Sequence, residues 1–167
     1  MKNTKKISGY AMAALVILSL QACPVGLDYP LDDSAKSEMN KSLIGTWKIS
    51  EDVEEPEISE VTFEKNDEHT YTIEIVPGPS FMGEGTSFIG WIVEMNGRQF
   101  MVAQDIGDGL NYHYSFEVNK KALTTWDISL LIGGVDAVTS TAALQDAVKE
   151  SMKSEEFLSG EQKWVKE

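Results

Sequence analysis

From Leu43 onward, apolar residues recur mainly at every second position, the spacing of strands with one face turned to a core. "GTWKIS" (45–50) is the first such run. In "EVTFEK" (60–65), Val61 and Phe63 share one face while Thr62 and Glu64 share the other. "YTIEIV" (71–76) repeats the pattern with Tyr71, Ile73 and Ile75 facing in. "SFIGWIVEM" (87–95) and "RQFMVAQDI" (98–106) are apolar on both faces, which predicts strands covered on both sides. "NYHYSFEVN" (111–119) sets Tyr112, Tyr114, Phe116 and Val118 against Asn111, His113, Ser115 and Glu117. "ALTTWDISL" (122–130) is the seventh run.

The links alternate in length. "NDE" (66–68), Asn96-Gly97 and "NKK" (119–121) are short, and Asn-Gly suits a type I′ hairpin because both central residues need positive φ. The other links, roughly 51–58, 77–86 and 107–110, are longer. An up-and-down order then collects the short turns at one end and the longer loops at the other. This predicts a mainly β fold, an antiparallel up-and-down β-barrel of about seven or eight strands with a closed end and an open mouth. The tail changes period. In "TAALQDAVKESMK" (141–153), Leu144, Val148 and Met152 lie four apart, a narrow helical stripe with Ser140 available as N-cap. This one C-terminal helix either lies on the two-sided strands or crosses one barrel end. It precedes a last strand, "EQKWVKE" (161–167), expected to close the sheet against the first.

Ahead of the barrel, Lys2, Lys5 and Lys6 form a basic head before the apolar run Ala11 to Leu20. The layout is that of a secretory signal, and the run is shorter than the about 20 apolar residues that cross ~30 Å of hydrocarbon. Leu20-Gln21-Ala22-Cys23 resembles a bacterial lipobox. That resemblance implies diacylglycerol on the Cys23 thiol, cleavage after Ala22 and acylation of the new amino terminus; Leu20 and Ala22 belong to the cleavage signal. Cys23 is the chain's one cysteine, so lipidation also removes a thiol that has no disulfide partner. Two or three acyl chains anchor stably where one does not. The expected organisation is a signal peptide at 1–22, the lipidated cysteine and a flexible tether at 23–42, and the barrel domain at 43–167. Pro24 after the cysteine points to the outer membrane, on its periplasmic face.

Charge narrows the partners. Removing residues 1–22 takes away three lysines and no acid, which moves the net charge from −13 to −16. No basic cluster serves phosphate contacts, so nucleic acid is excluded as a partner. An anionic membrane would repel the body, so attachment to the membrane falls to the lipid.

At "LIGTWK" the domain resembles the lipocalin-like, or calycin, group of small barrels through Gly45-Thr46-Trp47. In that group the Trp plugs the closed end, the Gly permits close backbone approach, and a basic residue of the last strand covers the Trp. The resemblance implies Gly45 and Trp47 as the barrel-end motif and Lys163 as the cover. The chain departs from the group in lacking a Thr-Asp-Tyr motif and a disulfide pair, and in placing its helix before the last strand.

No catalytic residues are expected. The two histidines, His69 beside a turn and His113 on a polar strand face, read as surface. Gly-x-Ser-x-Gly and phosphate-cradling glycine loops are missing, and "DIGDGLN" (105–111) lacks EF-hand spacing, so neither metal nor cofactor is expected. Two features point to binding. Trp91, Phe100, Tyr112, Tyr114 and Phe116 form an inward aromatic set that either fills the barrel or walls a small apolar ligand. The longer loops carry Glu51, Asp52, Glu54, Glu55, Glu57, Glu84, Asp105 and Asp108, no Lys or Arg, and the apolar pair Phe81 and Met82. Such a rim favours a cationic ligand or a basic protein over anionic ones. The expectation is therefore a non-enzymatic, lipid-anchored envelope lipoprotein that binds a small apolar or amphipathic ligand or presents a surface. The alternative is an interaction protein gripping a basic partner through the rim.

Overall fold

A computed structural model describes residues 25–79, 85–131 and 133–167. Eight antiparallel strands close into a barrel in chain order: β1 (Gly45–Ile49), β2 (Ile58–Lys65), β3 (Tyr71–Pro77), β4 (Thr86–Met95), β5 (Arg98–Asp105), β6 (Asn111–Val118), β7 (Ala122–Ile128) and β8 (Leu158–Lys166). Helix α1 (Thr141–Ser151) lies between β7 and β8, as the change of period predicts. The last strand shuts the barrel through Trp47 opposite Lys166 and Ile49 opposite Trp164. This architecture is compatible with a lipocalin-like barrel.

The short turns are built by local chemistry. Asn96 (φ 52°) and Gly97 (φ 76°) are both left-handed, as a type I′ turn requires. The Asp67 carboxylate accepts from the amides of His69 and Thr70, each at 2.7 Å. The Asn119 amide oxygen accepts from Lys121 and Ala122, each at 2.9 Å. All three turns lie at the end where β1 begins and β8 finishes. That end is closed by Trp47, which is fully buried and donates its indole N–H to the Leu43 carbonyl at 2.7 Å. Tyr71 seals the neighbouring position, its hydroxyl accepting from the Asn40 amide at 2.6 Å. The residue over the Trp47 ring is Lys166, not Lys163. Its Nζ lies 4.9 Å from the ring centroid and donates to the Ser42 carbonyl at 2.9 Å. Lys163 fails because Trp164, one residue on, already points inward, which turns Lys163 out toward Glu161.

Two apolar clusters follow from strand parity. The barrel interior holds Trp47, Val61, Phe63, Tyr71, Ile73, Ile92, Met101, Phe116, Leu123 and Trp164. The second cluster lies outside the wall, where Leu144 and Val148 of α1 cover Trp91, Val93, Phe100 and Val102. The helix therefore lies on the two-sided strands, with Ser140 capping Ala143.

The stretch 23–42 reads as a flexible tether, yet from Leu27 it is docked on the barrel. Leu27 and Asn111 exchange both backbone hydrogen bonds (2.9 and 2.8 Å), occupying the part of the β6 edge that β7 does not reach. Leu31 is fully buried in the outer cluster. The Trp91 indole donates to the Asp32 carbonyl at 2.9 Å, and the Ser37 hydroxyl accepts from the Ile92 amide at 2.9 Å. Two leucines and a serine that caps a vacant strand amide suffice to hold a segment whose composition otherwise looks like linker.

Candidate functional site

The strand ends opposite Trp47 are those joined by the longer links: 50–57 between β1 and β2, the β3–β4 link, 106–110 between β5 and β6, and the β7–β8 connection. Strand parity carries Ile49, Ile58, Ile75, Phe88 and Tyr112 toward this mouth, all packed on the interior core but only partly buried. Phe88 and Tyr112 meet edge to face, ring centroids 5.9 Å apart. Burial raises the Tyr112 hydroxyl above its ordinary pKa, and Asp108 and Asp105 add to the effect. Below them Tyr114 pairs with Met101 on one side and Asp127 on the other, and so faces in. Burial pushes its hydroxyl well up, with Asp127 and Tyr112 contributing.

Asp127 is the inward polar group that the sequence reading missed. The run 122–130 reads as a strand with no inner face assigned. The register puts Leu123, Thr125 and Asp127 inside, with Leu123 opposite Trp164. Extending parity from Leu123 rather than from Trp126 finds it. Asp127 Oδ2 lies over Gly160 (φ +60°), where an added Cβ would come within 2.5 Å of it. Burial raises the Asp127 pKa, and the neighbouring Glu57 raises it further. Among the described residues, Asp127 has no ion-pair partner.

The expected aromatic set divides. Tyr112, Tyr114 and Phe116 are inside. Trp91 and Phe100 are outside, beneath α1 and the docked N-terminal segment. Their strands are apolar on both faces, so alternation alone does not tell the inner parity; the inner positions are Gly90, Ile92, Met101 and Ala103. Phe81 and Met82 lie outside the described residues, as do Leu20, Ala22 and Cys23. His113 also departs from expectation. It is buried on the outer face of β6, where burial alone lowers its pKa to about 4. Its Nε2 and the nearby Asn111 Oδ1 are buried without hydrogen-bond partners among the described residues. His69 stays exposed at its turn, with Nδ1 2.9 Å from the Ser37 carbonyl.

Part of the rim is structural. Asp105 accepts from Gly107 at 2.6 Å and Asp108 from Leu110 at 2.9 Å, which fixes the 106–110 turn around Gly109 (φ 78°). Glu51, Asp52, Glu54 and Glu57 remain exposed on the 50–57 loop. Among the described residues no three His, Cys, Asp or Glu side chains come together in a way that would hold a metal ion. A separate cleft of about 500 Å³ opens in the wall near the closed end, where Arg98 and Gln99 of β5 run on past the paired part of β6 toward Phe116 and Val118. Arg98 there donates to the Ser115 hydroxyl at 3.2 Å. The mouth thus combines an aromatic wall, a partly buried carboxylate without an ion-pair partner among the described residues, and an acidic loop. No family model, curated protein or solved structure matches the chain.

Proposed function

We propose that this chain is a non-enzymatic lipoprotein of the cell envelope, anchored through Cys23, with a lipocalin-like barrel whose mouth takes a small amphipathic ligand with a cationic head. The observation that carries the reading is Asp127, inside the barrel with Tyr114 and close to Glu57, without a cation to pair with among the described residues. Trp47, Tyr71, Phe116, Leu123 and Trp164 fill the lower barrel, so the ligand's apolar part lies against Phe88, Tyr112 and Ile75 near the rim rather than deep inside.

Binding of an alkyltrimethylammonium probe to the mature protein, followed by calorimetry, tests this. Asp127→Asn should weaken it on the order of tenfold, the loss of one partly desolvated charge pair, while an alkyl sulfate of equal chain length should bind less well than the cation. Equal affinity of wild type and Asp127→Asn, or preference for the sulfate, refutes the reading. The exposed acids of the 50–57 loop favour one other occupant, a basic protein held at the rim. Its mark is capture that falls steeply with salt and survives Asp127→Asn.

The anchor has its own test. Cys23→Ser should abolish incorporation of labelled fatty acid and leave the precursor uncleaved. Persistent labelling of that variant refutes lipidation at this residue.

A further inference from the structure

We infer that the mouth end of the barrel rests on a zwitterionic lipid surface, with the closed end pointing away; this rests on the proposed acylation of Cys23. Leu27 is hydrogen-bonded to Asn111 at the mouth. Gly26 is seated against Leu110 and Tyr112, where an added Cβ would meet both side chains at 3.0–3.1 Å. Four peptide steps separate Leu27 from Cys23, a span of at most ~15 Å. The docking of the N-terminal segment removes the reach that a free tether would have given, and it fixes the point of attachment to one end of the barrel.

The two ends differ in surface. Exposed large apolar side chains at the mouth are Ile106 (60% exposed), Val25 (53%), Val76 (46%) and Val53 (39%), from four separate parts of the chain. The closed-end turns present Asn66, Asp67, Glu68, Asn96, Lys120 and Lys121, and near that end one large apolar side chain, Val165 (55%), is exposed among the described residues. Apolar side chains on a rim, beside an anchor of this reach, are the residues that enter an interface first. The acids between them select the lipid. In phosphatidylethanolamine or phosphatidylcholine the ammonium group is the outermost charge, so carboxylates meet a cation, whereas an anionic headgroup repels them. The ligand site then opens toward the bilayer, and a membrane-dissolved amphiphile reaches it without crossing water.

The test uses the full-length lipidated protein in phosphatidylethanolamine–phosphatidylcholine vesicles. Because Cys23 is acylated, an introduced cysteine is the one free thiol. Val53→Cys, Ile106→Cys and Lys120→Cys are each labelled with a polarity-sensitive fluorophore, and quenching by bromine-labelled lipid chains is measured. Quenching at 53 and 106 should exceed that at 120 several-fold. Equal quenching at both ends, or stronger quenching at 120, overturns the orientation while leaving the anchor intact. The mass of the Cys23 peptide separates the two failures: an unacylated peptide overturns the anchor and the orientation together.

Discussion

Trp47→Ala should lower the stability of the protein by about 3–5 kcal/mol, the range for truncating a fully buried aromatic side chain, read as a fall in the urea midpoint. The indole is fully buried between Leu43 and Val61, with the Lys166 ammonium over its face. Truncation removes the ring, strips the Leu43 carbonyl of its donor and leaves Lys166 above a void. Domains of this size have about 5–15 kcal/mol in all, so roughly a fifth or more of the stability is at stake. Trp47→Phe separates the contributions. It keeps most of the apolar volume and loses the hydrogen bond, and should cost about 1–3 kcal/mol, the penalty for a buried carbonyl left unpaired. A loss below 1 kcal/mol for the alanine variant would mean that the closed end tolerates a gap, and that Gly45-Thr46-Trp47 is an ordinary piece of strand.

What could be read from the sequence depended on whether a strand had one buried face or two. In β3 and β6 the alternation gives the inward set directly, because Thr72, Glu74 and Glu117 mark the other side. The Asn96-Gly97 turn, the alternation of short and long links and the Ser140-capped helix follow from chemistry local to each segment, and they fix an up-and-down barrel with α1 before β8. In β4 and β5 both faces are apolar, one for the barrel and one for α1, so Trp91 and Phe100 look equivalent to Ile92 and Met101. Only the pairing of β4 and β5 with their neighbours resolves them. The same outer cover explains His113. On a bare barrel its face would be wet; beneath added chain it is dry. The site residue Asp127 stayed hidden for a related reason, since Leu123 and Trp126 lie on opposite faces of β7 and alternation alone does not choose between them. The sequence predicts that the last strand closes on the first, but not the register of that closure. The pairing of Trp47 with Lys166 depends on the shear of the whole barrel, which no local spacing encodes.

The two ends of the barrel are built differently, although one interior core runs through both. The closed end is rigidly paired and capped by residues 39–44, so changes there act on folding. The mouth is built from partly buried side chains at the strand ends, so on the proposed function changes there act on binding. Asp127→Asn should therefore alter ligand affinity with little effect on the urea midpoint, while Trp47→Ala does the reverse.

Acidification from pH 6.5 to 4 should remove about 3 kcal/mol of stability through His113 alone. The imidazole titrates near 6.5 when unfolded and at about 4 in the folded protein, because burial disfavours the cation. Its folded pKa is the lower of the two. Below 6.5 the unfolded chain therefore binds the extra proton and the folded chain does not, so stability falls with pH until the folded pKa is reached. At about 1.4 kcal/mol per unit, the interval gives the stated loss. Other groups act differently. Asp32, Asp67 and Glu161 have lowered carboxyl pKa values, so their contributions are lost mainly below this window. Asp127, whose pKa is raised, is relieved of an unfavourable charge as pH falls and opposes the loss. Comparison with His113→Leu isolates the histidine. Urea unfolding of both proteins at pH 7 and pH 4.5 should show a steeper loss for the wild type by roughly 2–3 kcal/mol, the part of that interval already crossed. Parallel loss in the two proteins would place His113 in water and with it the outer face of β6. The buried Nε2, unpartnered among the described residues, gives the opposite expectation. Charging that ring disfavours the packing on the outer face of β6, where Leu27 bridges Asn111, so the N-terminal segment from Leu27 to Leu31 should become exchange-labile in acid before the barrel itself opens.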